Sequence, residues 1–291
     1  MSTPSSPEAA APARVGVLGG GRMGAGIAHA FLLAGAPVTV VERDDDAAAA
    51  AAARVHGSID ASLARGTAIE TGEAYRARFA TGTDAALFAD CTLVVEAVPE
   101  ELALKIDALT RVERHLADDA ALASNTSSIS IDELAAVLDR PERFLGMHFF
   151  NPVPASTLVE VVRGGATAET LVADAASWVR ALGKTPIVVA DAPGFASSRL
   201  GVALGLEAIR MLEDGVASAA DIDAAMTLGY MHPVGPLRLT DIVGLDVRLG
   251  IAEYLAAQLG SRFEPPTLLR RLVAEGHLGR KSGRGFYEWD D

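Results

Sequence analysis

The sequence predicts an α/β protein: a doubly wound parallel sheet carrying an inserted helical arm, followed by an all-helical C-terminal domain. Three observations predict it. From residue 14 to 189, short apolar runs alternate with helical periodicity, the pattern of a sheet covered on both faces. Between residues 44 and 88 no strand is evident, although a crossover needs far fewer residues. After Pro193 the strand signal stops and helical periodicity alone continues.

The elements read in order. Residues 1–12, MSTPSSPEAAAP, lack a basic start and an apolar run, so they read as a disordered tail and not a signal peptide. A short apolar strand at 14–19 ends in glycine, a helix follows at 22–34, and a second strand at 38–41 is closed by Glu42. The alanine run 47–53 with 59–63, and then 73–79, predicts a pair of helices forming the arm. Further strands are expected at 92–98, 120–124, 143–148, 158–162 and 185–189, with helices at 101–116 and 131–138 between them. The boundary falls near 191–194. It separates a first domain, 13–190, from a helical one, 191–291, with helices at 199–212, 219–228, 244–259 and 267–275.

Composition narrows the function classes. The 291-residue chain carries a net charge of −13 and is 50% hydrophobic, which argues against a nucleic-acid binder working through bulk positive charge. An anionic ligand must therefore meet a local cationic patch or backbone amides. The uncharged stretch 23–41 is broken by Gly35 and Pro37 and is a buried turn, not a membrane span. Cys91 is the single cysteine, so it reads as a small buried thiol in a reducing, cytoplasmic protein. No residue cluster predicts a metal site.

Two constellations carry chemistry. Gly19, Gly21, Arg22, Met23 and Gly24 lie in a G-x-G-x-x-G turn between strand and helix, the fingerprint of a Rossmann-type dinucleotide site. Its glycines allow a tight turn, close approach to a pyrophosphate and close helix packing. Glu42, 18 residues past Gly24, stands where a carboxylate accepts hydrogen bonds from a ribose. It favours NAD and would repel the 2′-phosphate of NADP, which Arg43 keeps as a minority option. The second constellation is His148 at a strand end and Glu160 twelve residues on, beyond the Asn151-Pro152-Val153-Pro154 turn. Neighbouring strands can set that carboxylate against the imidazole, building a general base for alcohol oxidation.

The segments GVLGGGRMGAGIA, VVEAVPEELALK, SNTSS, GMHFFNPV, LVEVV, DAPGF and GRKSGRGFY together resemble the 3-hydroxyacyl-CoA dehydrogenase family over residues 14–289. The resemblance implies NAD-dependent interconversion of an (S)-3-hydroxyacyl-CoA, foremost 3-hydroxybutyryl-CoA, with the 3-ketoacyl-CoA, within fatty acid metabolism. It implies His148 as base, Glu160 as its partner and Ser127 as a hydrogen-bond donor to the reacting oxygen. Glu100, Lys105, Ser127, Asn151 and Lys281 would contact the cofactor, and Ser62 and Arg65 of the arm the CoA. Where the family has an Asn, this chain has Ser198, a shorter donor for the thioester carbonyl. The basic stretch 270–284 is a second candidate for CoA phosphates. The family also implies a homodimer through the helical domain. Two alternatives stay open: a dehydrogenase of a CoA-free hydroxy or sugar acid, and a non-catalytic NAD-binding protein.

Overall fold

In the computed structural model, which describes residues 10–290, the first strand, β1 (Val15–Leu18), is buried along its whole length. So are β2 (Val38–Val41), β4 (Leu93–Glu96) and β5 (Ala121–Ser124). Strands buried on both faces need no polar alternation, which is why each reads as a continuous apolar run. Between β1 and β2 runs α1 (Arg22–Leu33). The expected tail falls largely outside the described residues.

The arm differs from the sequence reading in two ways. Residues 45–64 form one helix, α2 (Asp45–Ala64), whose Asp44 N-cap accepts the Ala47 N–H at 2.7 Å. A short helix, α3 (Gly72–Ala77), follows. The stretch also holds a strand, β3 (Phe79–Gly82), paired parallel to β2 at the sheet edge. Its four residues are only partly buried and run on from helical periodicity, so neither alternation nor an apolar run marks it.

The chain continues through α4 (Leu102–Glu113), β5, α5 (Ile131–Ala135), β6 (Phe144–Phe149), β7 (Leu158–Arg163), α6 (Glu169–Ala181) and β8 (Thr185–Ala190). The eight strands lie in the order β3-β2-β1-β4-β5-β6-β7-β8. The sheet is therefore parallel-dominated but mixed: β7 runs antiparallel to β6. A connection of eight residues from β6 to β7 is too short for a parallel crossover, which needs a dozen or more. The strand order reverses direction between β1 and β4, and open α/β sheets bind ligands beyond the carboxyl ends of the strands at such a point.

A second compact unit begins at Ala192. It contains α7 (Ser197–Glu213), α8 (Ala219–Gly229), α9 (Pro236–Val243), α10 (Leu245–Leu259) and α11 (Thr267–Ala274). Helix α9, with Pro236 in its first turn, was not expected from periodicity. The unit has its own core, including Val202, Leu206, Leu237, Leu245, Leu255 and Leu269. Asp241 of α9 is fully buried and accepts the N–H groups of Phe286, Tyr287 and the Trp289 indole. That one carboxylate ties the C-terminal segment to the helices. Among the described residues no helix is long and apolar enough to cross a membrane.

Candidate active site

The glycine turn sits at the carboxyl end of β1. Gly19 has φ +91°, a conformation side chains rarely adopt. A Cβ at Gly24 would fall 1.8 Å from the Gly19 carbonyl oxygen, so α1 can pack this close only on hydrogen. A Cβ at Gly21, the N-cap of α1, would instead meet nothing within 4 Å. The space a diphosphate needs is open there. No side chain caps α1, and no acid lies in its first turn, so its leading N–H groups and partial positive charge face that space. These residues fit a dinucleotide.

Glu42 follows β2 directly. Its Oε1 accepts the Gly20 N–H at 2.7 Å and its Oε2 the Arg43 N–H at 3.2 Å. The carboxylate borders a hollow of about 330 Å³ whose lining includes Thr83, Asp84 and His115. Arg43 turns away to Asp44, at 2.9 Å, and is largely exposed.

His148 and Glu160 are direct cross-strand partners in the antiparallel β6–β7 pair. That register places both side chains on one face, at the spacing where opposed groups meet. His148 Nδ1 donates to Glu160 Oε2 at 2.7 Å, with the Glu160 carboxylate fully buried and the imidazole nearly so. The tilted ring of Phe150 lies 4.5 Å from the imidazole, centroid to centroid. Between β6 and β7, Asn151 is exposed beside the cis bond to Pro152.

The turn after β5 lies next along the sheet. Asn125 Oδ1 accepts the Phe149 N–H at 2.8 Å, tying this turn to the residue after His148. Glu100 Oε1 accepts from the Thr126 hydroxyl (2.6 Å), the amides of Ser127 (2.9 Å) and Ser128 (3.1 Å), and the hydroxyls of Ser127 (3.2 Å) and Ser128 (3.1 Å). Burial opposes ionisation of Glu100, but the Lys105 ammonium and these donors outweigh it and hold its carboxyl below the ordinary range. Lys105 itself is 1% exposed, its Nζ 2.8 Å from Glu96 Oε1 and 3.3 Å from Glu100 Oε2.

The arm helps form a groove of about 1070 Å³ running over α1, α2 and the 151–155 turn. Arg22, Arg54, Arg65 and Lys184 line it, and no Asp or Glu does. Ser62 is buried in its floor, its Oγ 3.0 Å from His29 Nε2, while Ser58, one turn earlier, is half-buried in the groove lining. Burial, with Arg65 and Lys184 nearby, pushes His29 down to about 4. Ser58, Arg54 and Lys184 were missed from sequence. The buried stripe Ala48, Ala51, Val55, Ile59, Ser62, extended back from Val55 and Ile59, was the signal that turns Ser62 inward and Ser58 outward.

In the second unit, Ser198 lies in the first turn of α7. Lys281 pairs with Asp246 at 2.6 Å. The basic stretch 270–284 is substantially neutralised, since Arg270 meets Glu253 and Glu264, and Arg284 meets Glu288. Among the described residues no group of three or more His, Cys, Asp or Glu could hold a metal ion. Cys91 is buried, which pushes its thiol up to about 11.

Comparison with known proteins adds independent findings. The family model of the 3-hydroxyacyl-CoA dehydrogenase NAD binding domain matches residues 14–192, and that of the C-terminal domain of the same family matches 194–289. The chain is 42% identical over 286 residues to a 3-hydroxybutyryl-CoA dehydrogenase of Mycobacterium tuberculosis, covering 95% of this chain and 98% of that one. It is 38% identical to the mitochondrial hydroxyacyl-coenzyme A dehydrogenase of Homo sapiens, covering 94% and 90%. The crystal structure of an (S)-3-hydroxybutyryl-CoA dehydrogenase from Ralstonia eutropha superposes with a TM-score of 0.91 at 39% identity, covering 97% and 100%.

Proposed function

This chain belongs to the 3-hydroxyacyl-CoA dehydrogenase family, and we propose that it interconverts (S)-3-hydroxybutyryl-CoA and acetoacetyl-CoA with His148 as general base. The observation that carries the mechanism is the buried 2.7 Å contact between His148 and Glu160. With Nδ1–H engaged by the carboxylate, Nε2 is the nitrogen that takes the proton of the substrate hydroxyl. Glu160 then stabilises the imidazolium that forms. NAD, when bound, accepts the hydride leaving the carbinol carbon. The Ser127 hydroxyl donates to the reacting oxygen, and the reverse reaction returns the proton from His148. A base placed this way contributes about 10²–10⁴-fold in rate.

The nicotinamide dinucleotide would lie along the open end of β1, its diphosphate on the α1 amides and its ribose hydroxyls on Glu42. The CoA phosphates would meet Arg65 in the acid-free groove that Arg54 and Lys184 also line, with Ser58 within the same lining. A CoA-free acid would leave that cationic lining without a partner, which favours the thioester. Exposed Leu200, Leu228, Tyr230 and Met231 on the second unit support association with a second copy, to be read by light scattering.

The test follows NADH oxidation with acetoacetyl-CoA. Purified protein should turn over, and His148→Ala should lose activity by orders of magnitude while still binding NADH. Retained turnover in that variant would mean another group is the base, and turnover of free hydroxy acids alone would remove the CoA assignment.

A further inference from the structure

Two long cationic side chains are buried among the described residues, Lys105 and Arg248. Lys105 has carboxylates beside it, Glu96 at 2.8 Å and Glu100 at 3.3 Å. Arg248, near the start of α10, has none. It is 8% exposed, and among the described residues its side chain makes no ion pair and no hydrogen bond; its Nε is sealed from solvent without an acceptor. The acids nearest in sequence are committed elsewhere, Asp246 to Lys281 at 2.6 Å and Asp241 to the C-terminal segment. Burial without a counter-charge pushes the guanidinium down to about 10. A buried charge is costly unless it is paired, so the fold holds a cation that an anion from outside completes.

The guanidinium lies against α7. A Cβ at residue 201 would fall 3.1 Å from its Nη1 and 3.7 Å from its Nη2, and the residue there is Gly201, partly exposed. Hydrogen in place of a side chain leaves room beside the two terminal nitrogens. Ser198 precedes Gly201 by three residues on the same helix, which makes the two neighbours on one face, about 5–6 Å apart. An extended chain advances about 1.2 Å per bond. From a carbonyl at Ser198, an acyl chain of about five or six carbons therefore ends at the guanidinium, and a shorter one stops before it.

We propose that Arg248 is a specificity-determining residue that binds the far end of the acyl chain, and that the substrates include 3-hydroxyacyl-CoA thioesters whose chain ends in a carboxylate. This rests on the reading of the protein as a 3-hydroxyacyl-CoA dehydrogenase with Ser198 at the thioester carbonyl, and adds a substrate class to it. The planar guanidinium fork matches a carboxylate through two parallel hydrogen bonds. An uncharged chain end would enclose the cation further and give it no partner.

The experiment compares the full-length parent with Arg248→Met, using NADH and two substrates that differ only in a methyl or a carboxylate at the chain end, 3-oxohexanoyl-CoA and 3-oxoadipyl-CoA. The parent should favour the carboxylated chain by about 10- to 100-fold in kcat/KM, as a hydrogen bond to a charged group provides. In Arg248→Met that preference should vanish, with NADH affinity unchanged. Thermal stability should hold or rise, because Met replaces an unpaired buried charge at similar volume. A parent that reduces acetoacetyl-CoA but shows no preference between the two longer chains would overturn the proposal. So would a preference that survives in Arg248→Met. Loss of a dimer in that variant by light scattering, with the preference intact, would make the partner of Arg248 a carboxylate of a second copy, which also overturns it. Should Arg248→Met not fold, Gly201→Ala fills the space beside Nη1 and is held to the same loss of preference. If the parent reduces no 3-ketoacyl-CoA, the functional reading fails. Thermal protection by adipate, measured against sodium chloride of equal ionic strength and lost in Arg248→Met, then still decides whether the carboxylate site exists.

Discussion

Replacing Glu160 with Gln removes one charge and almost no volume, so it isolates what the buried carboxylate contributes to proton transfer. The amide oxygen can still accept the Nδ1–H bond, now 2.7 Å long, and the ring keeps its orientation. What disappears is the attraction between the carboxylate and the imidazolium formed as the alcohol is oxidised. For charges about 4 Å apart at an effective dielectric of about 20, that attraction is about 4 kcal/mol. At 1.36 kcal/mol per decade, kcat for oxidation should fall by about 10³. The assay is NAD reduction with (S)-3-hydroxybutyryl-CoA at saturation, with NADH affinity and thermal stability measured in parallel. NADH affinity should be unchanged, because neither residue lies on the glycine turn. A folded variant losing less than about threefold in kcat would refute the reasoning: His148 would not be the base, or solvent would screen the pair despite its burial.

Three further outcomes follow from distances and burial. Gly24→Ala puts a Cβ 1.8 Å from the Gly19 carbonyl oxygen, so the turn must shift; a stability loss of about 1–3 kcal/mol and at least tenfold weaker NADH binding are expected by thermal melting and fluorescence titration. Glu42→Ala should cost NADH about tenfold or more in kcat/KM, as a charged hydrogen-bond acceptor is worth about 1.5–3 kcal/mol, and should raise activity with NADPH; an unchanged ratio of the two would remove Glu42 from ribose recognition. The last concerns pH. His29 is held near 4 when folded against an ordinary 6.5, so the unfolded chain takes up the proton first as pH falls. Stability therefore drops between about pH 6.5 and pH 4, by up to about 3 kcal/mol, and this contribution levels off below. Urea unfolding across that window should show the slope, and His29→Gln should flatten it.

The parts of this molecule legible in the sequence are those whose chemistry is local. The G-x-G-x-x-G turn declares itself because strand, glycines and helix are contiguous, and Glu42 ends the very next strand. The His148–Glu160 pair was legible because its two strands are joined by a short turn, even though the antiparallel register that aligns them was not foreseen. Other features failed for equally physical reasons. Helix α2 carries seven consecutive alanines at 47–53, just after its first two residues, and these carry no information about helix phase. Ser62, expected at the CoA, lies in the groove lining with its hydroxyl against His29. Helix α9 begins at Pro236 after a glycine, signals that punctuate loops as often as they start helices. Lys184 joins the groove from far along the chain, beyond the reach of any local pattern.

The charge distribution explains why that last residue matters. A chain of net charge −13 repels both NAD and CoA at long range, and the helix N-terminus of α1 acts only within about its first turn. Recognition must therefore be concentrated where acids are absent, and the groove lining meets that condition with four cations and no carboxylate. The four are not equivalent. Lys184 spends its ammonium on the Val153 and Ser156 carbonyls, which fixes the turn between His148 and Glu160, and Arg54 donates to the Gly20 carbonyl at 3.2 Å, which braces the glycine turn. Among the described residues Arg65 reaches Ser62 Oγ alone, at 3.5 Å, so most of its hydrogen-bonding capacity remains for a phosphate. The groove thus divides its cations between shaping the two ends of the site and waiting for the ligand, and the arm that supplies Arg54 and Arg65 is the element through which a change of substrate would be felt first.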